Sequence, residues 1–150
     1  MTLAVRQTVV LDAAPQAAFA LFTEEIYRWW PLRAGFAYGG DRARSIHLEP
    51  WDGGRFYERL IDGDEIQVGR VTACDPPRHL AFSWRGVAWT AETQVEVDFR
   101  PEGVGTRVDL VHSGFELLGD TGQEVRDGFA GGWPRVLQAL SAIAGESERR

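Results

Sequence analysis

The sequence predicts an α+β fold in which a curved antiparallel sheet of about six to seven strands closes around one long C-terminal helix, with two short helices after the first strand. Between Ala43 and His112, short strand-like runs alternate with turn-forming residues. The last segment, Gln123–Ala144, instead carries apolar residues at helical spacing. Because strands follow strands, the order is not that of βαβ units. A curved sheet around one helix leaves a space between them.

The length and composition predict one globular domain, residues 1–150. The chain is 44% hydrophobic and 25% charged, which is typical of globular proteins, and it contains no internal repeat or linker. Six Trp, eight Phe and three Tyr are a high aromatic content for 150 residues. These rings have to be buried, placed at an interface or used around a ligand.

Several classes of protein are disfavoured by the composition. The net charge is −6 and no basic patch is present, so a nucleic-acid partner is not expected. The chain has no Lys, which excludes a Schiff-base or phosphate-loop lysine. The single Cys74 has no partner for a disulfide. Neither a membrane-spanning run nor a signal peptide is recognisable, so we expect a cytoplasmic protein without a membrane partner.

The first elements follow from local signals. The Val-rich run Ala4–Leu11 predicts a strand, and Pro15 suits the first turn of a helix that ends near Phe22. A second short helix is predicted over Glu24–Trp30, where a following proline stops it. Glycines and aromatic residues then alternate in Leu32–Arg42, which we interpret as a mobile loop.

The strand region is divided by Asp-Gly and Asp-Pro turns. In Thr93–Phe99, Thr93 and three apolar residues alternate strictly with Gln94 and two acidic residues, which indicates an antiparallel sheet with one buried face. Thr106–His112 shows the same alternation, so the side chain of His112 is expected to point inward. The other predicted strands are Ser45–Glu49, Arg55–Leu60, Gln67–Cys74 and His79–Trp84.

The final helix is predicted to have two unlike halves. Thr121 and Glu124 match a capping box at its start, and Pro134 predicts a kink near Gly131. The second half is richer in aliphatic residues and is expected to anchor against the sheet. The first half would then roof the internal space.

No motif assigns a reaction. The three His residues lack metal-ligand spacing, no serine lies in a Gly-x-Ser-x-Gly elbow, and Gly103–Gly105 is a lone Gly-x-Gly in a hairpin loop. We therefore assign no catalytic residue, metal or cofactor. His112 is either a neutral, hydrogen-bonded core residue or a group that orients a ligand or handles a proton.

The aromatic residues supply the candidate ligand site. Plain core packing is the alternative, and Trp89 and Phe115 are placed in loops where they could act as gates. Glu58 and Arg59 lie in one predicted strand and Glu65 follows the next turn, so this group could bring a carboxylate to the mouth, although cross-strand surface pairing is the favoured interpretation. The candidate ligand-binding residues are Trp30, Phe36, Phe56, Trp84, Trp89, His112, Phe115, Phe129 and Trp133.

A set of short motifs extends over nearly the whole chain in a familiar order. They are Gly53–Glu58, Gly69–Val71, Asp75–Arg78, Leu80, Ser83–Trp84, Thr93–Phe99, Gly105–Val108, His112–Phe115, Gly132–Trp133, Leu137 and Leu140. Together they resemble the START-like helix-grip superfamily, in the branch of bacterial homologues of the activator of heat-shock-protein-90 ATPase. That superfamily includes lipid and hormone carriers, polyketide cyclases and chaperone activators, so the resemblance implies the fold more firmly than the function. The motifs consist of turn and packing residues, and no catalytic residue carries over.

These observations favour a binding protein over an enzyme, with a small apolar or aromatic ligand in the internal cavity. A first alternative is an enzyme of the polyketide cyclase or hydrolase type that uses His112 as its acid–base. A second is a regulator that interacts with a chaperone in the stress response. A homodimer is a further partner that the resemblance allows.

Overall fold

The computed structural model describes residues 3–148 and confirms the predicted architecture. Seven antiparallel strands form one curved sheet around a long C-terminal helix. No helix in this range is long and apolar enough to cross a membrane. The elements are β1 (Ala4–Leu11), α1 (Pro15–Phe22), β2 (Ala43–Leu48), β3 (Arg55–Leu60), β4 (Glu65–Asp75), β5 (His79–Trp84), β6 (Thr93–Glu102), β7 (Gly105–Ser113) and α2 (Gly122–Glu148), with 3-10 segments at Ile26–Arg28, Leu32–Ala34, Gly40–Arg42 and Phe115–Thr121.

The sheet order explains how the site is assembled. The strands lie in the order β1-β7-β6-β5-β4-β3-β2, so the first strand pairs with the last, Val9 opposite Val108. The two edges are therefore β1 and β2, which are consecutive strands in the chain. The connection between them has to pass from one edge of the sheet to the other. It brings α1 and three 3-10 segments over the inner face.

The inner face of the sheet and one side of α2 form the core. The strict alternation predicted for β6 is confirmed, because Val95 and Val97 are fully buried while Gln94, Glu96 and Asp98 are exposed. On α2, Leu137 and Leu140 are buried in the same cluster. The second half of the helix thus packs in the core, as predicted.

The start of α2 differs from the prediction. The hydroxyl of Thr121 donates to the carbonyl oxygen of Leu118, 3.4 Å away, and does not pair with Glu124 as a capping box requires. A 3-10 segment runs directly into α2 here, and its carbonyl at Gly119 accepts the amide of Gly122. The helix then continues without a break past Pro134.

The segment after α1 is less helical than predicted. In place of a helix over Glu24–Trp30, the structure has one 3-10 turn at Ile26–Arg28. A proline disfavours the helical conformation for the residue before it, and Pro31 therefore limits this element. The loop Leu32–Arg42 also contains two 3-10 turns.

Candidate ligand-binding site

A cavity of about 340 Å³ lies between the sheet and the first half of α2, and it is partly open to solvent. Its volume falls at the lower end of the range of small-molecule sites, roughly 300–1,000 Å³. The wall is mostly apolar. The lining residues are Trp30, Gly35, Phe36, Ala37, Tyr38, Ile46, Phe56, Glu58, Val68, Trp84, Val125, Gly128, Phe129, Gly132, Trp133 and Val136.

Six of the nine candidate residues lie together in this wall. Trp30 is central, with its ring centroid 5.9 Å from Phe56, 6.1 Å from Trp84 and 6.0 Å from Trp133. Its indole N–H donates to the carbonyl oxygen of Phe36 at 2.8 Å. The rings therefore come from the connection after α1, from β3, from β5 and from α2. The six residues are Trp30, Phe36, Phe56, Trp84, Phe129 and Trp133.

The other three candidates lie behind Phe129 and do not line the cavity. The centroid of the Phe129 ring is 4.8 Å from His112, 5.6 Å from Phe115 and 5.9 Å from Trp89. Phe115 is fully buried at the start of a 3-10 segment and not in an open loop, whereas Trp89 is half-buried in the connection between β5 and β6. These three residues support the wall from behind.

His112 points into the core, which confirms the predicted orientation. The indole N–H of Trp133 donates to His112 Nδ1 at 3.1 Å. His112 Nε2 lies 2.7 Å from the hydroxyl of Thr93, and that hydroxyl donates to the carbonyl oxygen of Trp84 at 2.9 Å. The hydroxyl proton is thus used, so Nε2 carries a proton and donates it to Thr93. His112 is the neutral Nε2–H tautomer, with both nitrogens paired.

Burial lowers the pKa of His112 from 6.5 to about 3. A charged imidazolium is disfavoured here because it would lack water among aromatic rings, the nearest of which, Phe115, is 4.5 Å away between centroids. The ring therefore stays neutral at pH 7. Of the two interpretations of His112, a hydrogen-bonded core residue or a group that acts on a ligand or proton, its position fits the core residue.

Glu58 lies in the cavity wall and is only 2% exposed, so its predicted surface pairing is wrong. Alternation along β3 explains this, because Glu58 shares the inner face with Phe56 and Leu60. Its two carboxylate oxygens accept the main-chain amides of Tyr38 and Gly39 at 2.7 and 2.9 Å. The carboxylate thus holds the loop that covers one side of the cavity.

The surface pairing that was predicted forms without Glu58. Glu65 accepts hydrogen bonds from Arg55 at 2.8 Å and from Arg59 at 3.1 Å. These contacts lie on the outer face of β3 and β4, on the opposite side of the sheet from the cavity. They lower the pKa of the Glu65 carboxyl.

Tyr38 is a polar lining residue that the sequence prediction missed. Its phenol oxygen accepts the indole N–H of Trp84 at 2.8 Å. Tyr38 is 36% exposed, and its partial burial raises the pKa of the phenol, which is therefore protonated at neutral pH. The residue lies in an irregular segment without hydrophobic periodicity, where sequence patterns do not indicate the direction of a side chain.

The chemistry available in the cavity is therefore limited in kind. The wall provides aromatic faces and edges, one phenol and one carboxylate. Among residues 3–146, no three His, Cys, Asp or Glu side chains are grouped to hold a metal ion. The arrangement suits a flat apolar guest with a polar substituent.

A solved structure is similar to this chain in sequence over nearly its full length. It is an anthrahydroquino-gamma-pyrone synthase, Txn09, complexed with SUM, and the identity is 34%. The match covers 94% of this chain and 96% of the synthase, with a TM-score of 0.63.

More distant structures share the fold. Protein MLL2253 from Mesorhizobium loti is 18% identical over 95% of this chain and 97% of its own, with a TM-score of 0.69. The Aha1 dimer from Colwellia psychrerythraea is 15% identical over 92% of each chain, with a TM-score of 0.66.

No curated protein matches this chain in sequence. The family model described as "Activator of Hsp90 ATPase homolog 1-like protein" matches residues 12–145. Since this match spans most of the sequence, the chain belongs to the activator of Hsp90 ATPase homolog 1-like family.

Proposed function

We propose that the protein binds a flat aromatic molecule in the cavity between the sheet and α2. The observation that carries this proposal is the wall of large rings around an apolar space of about 340 Å³. Trp84 and Trp133 meet edge to face at 5.7 Å, and Trp30 lies against both. Such rings can stack on, or turn their edges toward, an aromatic guest.

The similarity to Txn09 supports an aromatic ligand in particular. The name of that enzyme contains a fused aromatic ring system, an anthrahydroquinone joined to a γ-pyrone. An identity of 34% over nearly the full length makes a related ligand class a reasonable proposal for this chain.

A variant that fills the cavity tests the proposal. Gly128 lines the cavity one turn away from Val125 and Gly132, and an added Cβ would meet no atom within 4 Å. Gly128→Leu should therefore weaken the binding of anthraquinone-2-sulfonate by about tenfold or more, a loss of about 1.4 kcal/mol, because its side chain occupies the space of the ligand. Quenching of tryptophan fluorescence measures the affinity.

Gly131→Leu is the matched control. Gly131 lies on the same helix, also has open space around an added Cβ, and does not line the cavity. It should bind the probe as the unmodified protein does. Equal affinity of all three proteins, or no binding to the unmodified protein, would contradict the proposal.

A cyclising enzyme of the polyketide-cyclase type is the second candidate, favoured by the similarity to a synthase. His112 is poorly suited to act as its acid–base, because it does not line the cavity and both ring nitrogens are already paired. Glu58 and Tyr38 are the ionisable side chains that do line it. A homodimer and a chaperone partner stay predictions, testable by sedimentation and by an ATPase assay with the chaperone.

Ring closure of 2′-hydroxychalcone tests the enzyme candidate. The phenol oxygen adds to the β-carbon of the enone and its proton moves to the α-carbon, so the reaction is an isomerisation that needs no co-reactant. An enzyme should accelerate closure in proportion to its concentration, and Gly128→Leu should abolish the acceleration. A rate equal to that in buffer, together with intact probe binding, would favour a binding protein.

A further inference from the structure

Tyr38 is held in place from two directions. Glu58, on β3, accepts the main-chain amides of Tyr38 and Gly39 and so fixes the backbone of the loop. Trp84, on β5, donates its indole N–H to the phenol oxygen and so fixes the end of the side chain. The phenol therefore has a defined position in the wall of the cavity.

The phenol has one proton that nothing in the fold uses. A tyrosine hydroxyl accepts hydrogen bonds and donates one. In Tyr38 the oxygen accepts from Trp84, and no acceptor among residues 3–146 receives its O–H. Burial and the nearby negative charge of Glu58 raise the pKa of Tyr38, so the proton remains on the oxygen at neutral pH. The cavity thus has a positioned hydrogen-bond donor.

We infer that the O–H of Tyr38 donates a hydrogen bond to a carbonyl oxygen of the ligand. The cavity would then select an aromatic ketone or quinone over an aromatic hydrocarbon. The inference rests on the proposed binding function and adds the chemical class of the ligand. A hydrocarbon would shield the O–H from water without giving it an acceptor, which disfavours binding.

The surrounding charges favour a neutral acceptor over an anionic one. A carboxylate or phosphate oxygen that approached the Tyr38 phenol would be repelled by the Glu58 carboxylate, whereas a carbonyl oxygen carries no net charge. Arg135 does not line the cavity, but its guanidinium lies 5.2 Å from the centroid of Phe36, which does. An anionic substituent of a ligand is therefore better placed toward Phe36 and Arg135 than toward Glu58.

Two probes of the same outline separate the contribution of the carbonyl group. Anthraquinone-2-sulfonate and anthracene-2-sulfonate carry the same charge and ring frame and differ in two carbonyl oxygens. Tyr38→Phe keeps the ring and removes only the hydroxyl. It should weaken binding of the quinone by roughly 3- to 10-fold, the effect of one hydrogen bond, whereas the affinity for the hydrocarbon should stay equal or rise, because no O–H is then left without an acceptor.

Tyr27→Phe is the matched control, since Tyr27 is 57% exposed and does not line the cavity. It should alter the affinity for neither probe. A vibrational spectrum reports on the hydrogen bond itself and not on packing. The carbonyl stretch of the bound quinone should lie at lower frequency in the unmodified protein than in Tyr38→Phe.

The outcomes distinguish this inference from the binding function itself. Unchanged quinone affinity in Tyr38→Phe, or an equal loss for both probes, would overturn the role of the hydroxyl while the cavity still binds. Failure of the unmodified protein to bind either probe would instead overturn the proposed function. Loss of quinone affinity together with an unshifted carbonyl stretch would also count against the hydrogen bond.

Discussion

The imidazole of His112 connects β7 to β6 and to α2 by hydrogen bonds that use both of its nitrogens. Trp133 donates to one nitrogen, and the other donates to Thr93, which in turn donates to the main chain of Trp84. A buried donor or acceptor left without a partner costs about 1–3 kcal/mol. The position of the cavity-lining Trp133 therefore depends on a histidine behind the wall.

Replacing His112 tests this role through the pH dependence of stability. His112→Phe keeps an aromatic ring but leaves Trp133 and Thr93 without their partner, and it should lower the free energy of unfolding near pH 7 by about 2–4 kcal/mol. In the folded protein the neutral imidazole of His112 takes up a second proton only near pH 3, whereas in the unfolded chain it does so near pH 6.5.

The unfolded state thus gains stability from protonation as the pH falls from about 6.5 toward 3. In the unmodified protein this protonation lowers the free energy of unfolding by up to about 1.4 kcal/mol for each pH unit. The effect is absent in His112→Phe. The difference in the free energy of unfolding between the unmodified protein and His112→Phe should therefore become smaller as the pH falls. Urea unfolding between pH 7 and pH 4 measures it, and a constant difference would show that His112 titrates alike in both states.

At the scale of the element, α2 has two halves with different surroundings. Val125 and Phe129 are half-buried and line the cavity, while Leu137 and Leu140 are buried in the core. The glycines lie mainly in the first half. At Gly132 an added Cβ would lie 3.2 Å from the ring of Phe36, which is tighter than an ordinary contact. This glycine lets the loop side of the cavity approach the helix.

Alanine substitutions at two adjacent glycines should therefore differ. Gly131→Ala should raise the free energy of unfolding by about 0.5–1 kcal/mol, because it reduces the freedom of the unfolded backbone and meets nothing in the folded state. Gly132→Ala has the same backbone gain but forces Phe36 to shift, so its net gain should be smaller or negative. Denaturant unfolding of both variants measures the comparison; equal gains would mean that Phe36 moves freely.

At the scale of the whole molecule, local patterns predicted the strands, their buried faces and the long helix, because periodicity reports which side of an element meets the core. The same alternation could have placed Glu58 inside, since it lies between Phe56 and Leu60 on one face. A preference for pairing charged residues at the surface outweighed that signal.

Other features of the site depend on contacts between distant segments. Tyr38 meets Trp84 because the connection from β1 to β2 passes over the sheet, and no local pattern encodes that approach. The division of the aromatic candidates into a lining and a supporting layer depends on where Phe129 lies relative to rings from other elements, which local patterns do not encode. His112 therefore looked from the sequence like a ligand-binding residue, although the structure places it behind Phe129.

The pairing of β1 with β7 has a consequence for the order of folding. Ala4 lies opposite Ser113, so β1 has no partner until β7, which lies beyond all the other strands in the sequence, has been made. Closing so long a loop costs chain entropy before any contact compensates for it, and sheets with such distant pairings fold slowly. The strand exposes an unpaired edge throughout this interval, a state that favours association with other chains. Synthesis of β7 pairs one side of β1, whose other side remains an edge of the sheet, and it delivers His112 to the core in the same step.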